Sequence, residues 1–231
     1  MRSVLFGCCS VFPSARLAIA VAVLTLFPLT APSRAASDIS QTRSVGGFYL
    51  VIFRGAFRGT ITAGKKTTRV LVSGTPSVVS RVTTDVSGGT LIVKMKGKLG
   101  PSEPLPKVQI ELPELHGYAD EGASSVTIAG LTGGDIYFQT TDSSLVASGV
   151  ADTEDVQLSG TGKIDTTGVD AREAAARNYG SGTVYVRANG SLRMDIDGAG
   201  DIRYTYTGNP SHLVTQMNGT GKISRLDLGR R

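Results

Sequence analysis

Several stretches of the 231-residue sequence carry residue types capable of chemistry. One is Gly180-Ser181-Gly182, followed by Thr183-Val184-Tyr185-Val186. A glycine-rich loop cradles a phosphate when a strand precedes it and a helix N-terminus follows. Here the β-branched residues after the loop predict a strand, and there is no lysine-threonine pair of the P-loop type. A second is the run from Asp195 through Asp197 to Asp201, whose carboxylates resemble part of a calcium loop. Its central ligand slot is Ala199 and no glutamate closes it, so the motif is half complete. A third is the acidic run Asp152, Glu154, Asp155. Cleaving a glycan needs an acid and a base within reach of each other. Asp165 and Arg203 share a repeat position that would suit such a pair, but Tyr185 falls between them. The histidines, His116 and His212, lie far apart, and no Gly-x-Ser-x-Gly elbow accompanies them. Tyr185, Tyr204 and Tyr206 offer aromatic faces for a sugar, with Tyr204 expected inward and the other two outward. None of these sets is complete. The residues therefore assign no catalytic, cofactor-binding or metal-ligating site, and no cofactor.

The elements that must position these residues begin after a targeting segment. Residues 1–16 carry Arg2 and Arg16 and no acid; residues 17–31 are almost wholly apolar. Ser33 and Ala35 then supply the small residues of a signal-peptidase site, which predicts a signal peptide over 1–35 and export. Cys8 and Cys9, the only cysteines, precede the apolar run and leave with it. The remaining 196 residues would hold 21 basic against 19 acidic side chains, a balance of +2 in place of +5. That excludes a strong basic footprint for nucleic acid. Without cysteine there is no disulfide and no thiolate metal site, so one hydrophobic core must suffice. No second apolar run approaches the ~18 residues of a spanning helix, so the cleaved form is not an integral membrane protein of the helical kind.

Residues 36–45 are polar and are expected to be loose. Strands are predicted over 47–55, 59–64, 68–74, 78–86, 90–97 and 107–113, from β-branched and aromatic content and closing glycines. Leu91, Val93 and Met95 alternate with polar neighbours at the strand period. Beyond residue 120 a repeat takes over. Corner markers fall at Gly122, Asp142, Gly160, Gly180, Gly198 and Gly219, at intervals of 20, 18, 20, 18 and 21. Four residues after each comes Val126, Val146, Ile164, Val184, Ile202 or Ile223; two after each comes a glycine or serine. Leu158, Ile196 and Met217 precede their markers by two; Phe138, Val156 and Met194 precede theirs by four. Aliphatics in one register over six units predict a solenoid whose coils stack at about 4.8 Å. Parallel strands without intervening helices predict an all-β, right-handed parallel β-helix with N-terminal capping strands. At the corners, glycine would meet a positive φ or a close backbone approach, and serine (Ser124, Ser144) would bond its own turn. Ala-Arg-Glu-Ala-Ala-Ala-Arg (171–177) has helical propensity, but it fills a strand slot in an interval of unchanged length. It is read as a strand with Ala174 and Ala176 inward.

The strand Gly47–Gly55, then Gly88-Gly89-Thr-Leu-Ile-Val, Ile110-Glu-Leu-Pro-Glu-Leu and the serial Gly-x-Gly units together resemble the putative auto-transporter adhesin, head GIN domain family. The closing run 198–223 adds a turn at Tyr206, Gly208 and Pro210. The resemblance spans about residues 45–226, within a single domain at 46–231. It departs at Asp142-Ser143-Ser144, where Gly-x-Gly is typical, and at the alanine-rich strand. It implies a β-helical protein of the bacterial envelope, periplasmic or at the cell surface, and carries no catalytic or ligand residues. Ten residues follow Gly221, too few for a membrane barrel within this chain. The expected function is a non-enzymatic scaffold for surface display or adhesin-like binding, with an envelope glycan or protein as partner. The alternatives are a carbohydrate-active β-helix and a self-assembling structural module.

Overall fold

The computed structural model describes residues 37–226, so the targeting segment at 1–35 lies outside the described residues. The chain is all-β: β1 (Ile39–Arg43), β2 (Leu50–Arg54), β3 (Arg58–Thr62), β4 (Arg69–Gly74), a helical turn α1 (Pro76–Val79), β5 (Val82–Ser87), β6 (Thr90–Met95), β7 (Lys107–Glu111), β8 (Gly117–Asp120), β9 (Ser125–Thr132), β10 (Asp135–Thr140), β11 (Ser144–Leu158), β12 (Lys163–Asn178), β13 (Thr183–Ala188), β14 (Ser191–Ile196), β15 (Asp201–Tyr206), β16 (Leu213–Met217) and β17 (Ile223–Arg225).

Two parallel stacks form the walls of a solenoid. The first runs β6, β2, β8, β10, the second half of β11, the second half of β12, β14, β16. The second runs β7, β3, β9, the first half of β11, the first half of β12, β13, β15, β17. Strands β11 and β12 each pass from one wall to the other. In β11 the passage is marked by a register shift between Val146 and Ser148.

The core is a set of like-on-like ladders inside the coils. Val126, Leu145, Ile164, Val184 and Ile202 align across the second stack and are buried. Phe138, Val156, Ala176 and Met194 do the same in the first. Each large aliphatic so buried contributes about 1.5–3 kcal/mol, and no ladder depends on a disulfide. Nearer the N-terminus the lumen is filled by aromatics, with Phe53 edge-on to Tyr118 and tilted on Phe57. Ala174 and Ala176 face inward as expected, so packing overrides helical propensity in β12.

Three expectations change. Residues 39–43 are not loose: β1 pairs antiparallel with β4 through its backbone, and Arg43 donates to the carbonyls of Val79 and Val82. The segment 78–86 is not one strand, because Pro76 starts the turn α1 before β5 begins. The N-terminal strands are not simply caps. The coil β2–β3 lies inside the stack, between β6–β7 and β8–β9. Beyond β6–β7 come β5 and β4, both antiparallel to their neighbours.

Candidate functional site

The Gly180-Ser181-Gly182 corner has no free backbone amide for a phosphate. The Gly180 amide donates to Asn178 Oδ1 (3.0 Å), those of Ser181 and Gly182 to the Gly160 carbonyl (3.0 Å each), and that of Thr183 to Gly162 (3.1 Å). Asn178, buried on the inner face of β12, also donates to the carbonyls of Gly182 (2.9 Å) and Asp201 (3.1 Å). Corners stack so tightly that a Cβ on Gly182 would fall on the Gly162 carbonyl oxygen, and one on Gly200 on that of Gly182. Neither residue has a left-handed φ, so close approach alone demands glycine there.

At Asp142 the corner is one residue short. Thr140 aligns with Leu158 and Asp120, but only three steps carry it to Ser143, against four from Leu158 to Gly162 and from Asp120 to Ser124. The rung therefore passes to Leu145, which is buried, while Val146, the residue expected there, is 45% exposed. The carboxylate of Asp142 takes the place of the missing carbonyl. It accepts from the amide and the hydroxyl of Thr161, both at 2.9 Å, and these bonds hold it below the usual carboxylate range. The corner serines, Ser124 and Ser143, bond between coils and not within their own turns. Ser143 Oγ accepts from the Ser124 amide and donates to the Gly122 carbonyl, and Ser124 Oγ donates to Gly55.

The acidic run at 152–155 divides three ways. Asp152 accepts from the Gly134 amide at 3.0 Å. Asp155 is paired with Arg177 on the outer face of the first stack (2.6 and 2.8 Å). Glu154 points into the solenoid, on a rung between Ile136 and Ala174, and is fully buried. Neither carboxyl oxygen has a hydrogen-bond partner; the Thr166 hydroxyl, its polar neighbour, is turned to the Tyr185 carbonyl. Burial pushes this carboxyl up to about 8. The sequence held a signal for it: Glu154, Val156 and Leu158 share one strand face. Asp120 is buried by the same logic, but it is satisfied by the Tyr118 hydroxyl and the Gly122 amide (2.6 Å each). Burial and the Asp120 charge raise the Tyr118 phenol well above its ordinary value.

The outer face of the second stack carries the expected row. Asp165, Tyr185 and Arg203 are cross-strand neighbours in that order. The Lys163 ammonium sits 4.5 Å from the Tyr185 ring centre and Arg203 lies 5.7 Å away on the next coil. Asp165 also accepts from the Thr167 amide and hydroxyl and lies 3.3 Å from Lys163; Arg203 reaches Asp201 at 3.7 Å. Each charge is thus engaged locally. Tyr206 does not join this row: it is buried, and its hydroxyl bonds the carbonyls of Gly190 and Asn209, tying the turn at Gly208. The aspartates of 195–201 diverge, Asp195 to Arg193, Asp197 to Asn218, Asp201 to Arg203, while Ile196 is a core rung. Among the described residues no cluster of three or more His, Cys, Asp and Glu could hold a metal. His116 lies against Tyr49 and Glu114; His212 faces Arg172 and Glu173 across a shallow cleft, several coils away.

Comparison with known proteins follows the same lines. A putative adhesin from Bacteroides fragilis NCTC 9343 matches with a TM-score of 0.65 at 20% identity, over 82% of this chain and 97% of its own. Putative adhesins from Parabacteroides distasonis ATCC 8503 and Parabacteroides merdae ATCC 43184 match with TM-scores of 0.52 and 0.51, each at 15% identity. They cover 83% of this chain and 98% and 97% of their own. At these identities the likeness establishes the solenoid fold. No curated protein matches the sequence. Residues 47–210 match the family model for the putative auto-transporter adhesin, head GIN domain. With its corner column, inner ladders and Gly-x-Gly register, the chain belongs to that family.

Proposed function

We propose that the chain is exported under a signal peptide at residues 1–35 and acts in the periplasm or at the cell surface. There it is a non-enzymatic solenoid that binds an envelope glycan or protein through its wall. The family's adhesin description supports binding. The observation that carries the reading is the Tyr185 face flanked by Lys163 and Arg203. Behind it, Ile164, Val184 and Ile202 are fully buried, which holds the row rigid and lowers the ordering cost of binding. A glycan array and a pull-down from envelope extract test it. The wild-type protein should retain a specific partner, and Tyr185→Ala should weaken that binding about tenfold while keeping its melting temperature. Equal binding by the variant would overturn the assignment of the wall.

A second reading, end-to-end association, is favoured by one observation. Met217 continues the inner ladder of Leu158, Asn178 and Ile196, yet it is 51% exposed. Among the described residues, β16 and β17 have no strand on their outer side. Open strand edges recruit further strands. Sedimentation across a concentration series should then show assembly that Met217→Lys suppresses; a monomer at every concentration excludes it.

A further inference from the structure

The tight corner column opens at one place. From Phe53 to Gly59 the chain takes six steps around the corner, but from Val93 to Val108, the aligned positions on the adjacent coil, it takes fifteen. The extra residues form the loop 96–106, with prolines at 101, 104 and 106. Insertions in solenoid repeats gather where binding occurs, and loops on a rigid scaffold are where ligands are met. This loop is shaped from one side by Arg81, which pairs with Glu103 at 2.7 Å and donates to the Lys98 carbonyl at 3.1 Å. Glu103 in turn accepts from the Gly100 amide at 2.7 Å. Between the loop and the Gly55-Ala56 corner lies a cleft of about 410 Å³. Its walls are Ala56, Met95, Leu99 and Leu105, and its polar members are Lys98 and Glu103.

The charges at this cleft do not balance. Glu103 is taken by Arg81, whereas exposed Lys98 has no carboxylate within ion-pair distance among the described residues. The same holds for exposed Lys94 and Lys96, which lead up to it along the chain. We propose that the cleft binds a single-chain anionic amphiphile, a fatty carboxylate, with its alkyl chain against Met95, Leu99 and Leu105 and its head at Lys98. The volume lies in the range of small-ligand sites, about 300–1,000 Å³, and apolar walls with one polar anchor are their usual make-up. An uncharged chain would gain from the walls and leave the lysine unused; an inorganic anion would leave the walls wet.

Isothermal titration of the purified protein with dodecanoate, below its micellar concentration, tests the site. Dodecyl maltoside serves as the neutral control. Residues 1–35 are common to every arm, so differences between variants report the cleft. The expected result is saturable binding of dodecanoate at one site, lost in Leu99→Arg and weakened about fivefold in Lys98→Met, the scale of one exposed ion pair. Thermal melting confirms that each variant is folded, and Leu105→Arg replaces Leu99→Arg if that chain does not fold. Absence of saturable binding, or equal binding by wild type and the arginine variants, overturns the proposal. Binding unaffected by Lys98→Met and matched by the maltoside overturns the anionic head.

Discussion

At the residue scale, Glu154 is the side chain whose setting differs most from its type. It stands on an apolar rung, with Ile136 on one side, Ala174 on the other, and no hydrogen bond from the protein to either oxygen. The rung tolerates it as a neutral acid, since a buried unpaired carboxylate is far costlier than a buried carboxyl. The folded-state value near 8 lies above the ordinary 4.5. Folding is therefore favoured below about 4.5, where both states are protonated, and loses stability as pH rises from there through about 8. The wild-type melting temperature should fall across that window. Glu154→Gln should flatten the fall and recover on the order of a few kcal/mol at its alkaline end. Identical pH profiles for the two proteins would mean that the carboxyl is ionised or solvated in the fold.

At the element scale, the corners decide the register. In the Gly-x-Gly corners from Gly160 onward the glycines answer to the backbone of the neighbouring coil, not to φ, and the corner at Asp142 manages with a residue fewer because an aspartate supplies the acceptor. Asp142→Ala should lower the melting temperature by removing the acceptor shared by the Thr161 amide and hydroxyl, and Asp142→Asn, which keeps an oxygen, should lower it less. Equal melting of the three proteins would refute the substitution of carboxylate for carbonyl. Much of this was legible in the sequence. The ladders at Ile164, Val184 and Ile202 repeat because every coil solves the same packing problem. The short corner was not legible, since counting forward from Asp142 assumes a corner of constant length. Tyr206 was misplaced although it shares the parity of Ile202 and Tyr204: the strand alternation carries it inward, onto the rung of Ala188, and its hydroxyl closes the turn there.

At the scale of the whole molecule, the fold class followed from the repeat, while the arrangement of the N-terminal coils did not. Those coils carry no shared period, and nothing local states which edge of a coil the next one joins. Hence β2–β3 became an inner coil flanked by later ones. Strand β1 is polar because it pairs through its backbone, so composition gave no sign of it. The candidate wall was partly visible: the row Asp165, Tyr185, Arg203 followed from spacing, whereas the loop cleft needed the stack to show how far the chain at 96–106 departs from it. The central claim is the register of the stacked coils. It is tested by melting Val184→Asp beside Val146→Asp, two valines that the sequence places at the same repeat position. Val184 is fully buried and Val146 is 45% exposed. The account predicts a loss of about 3 kcal/mol or more for Val184→Asp, seen as a fall of roughly 6–12 °C, and almost no change for Val146→Asp. Equal losses, or a larger loss at Val146, would contradict it.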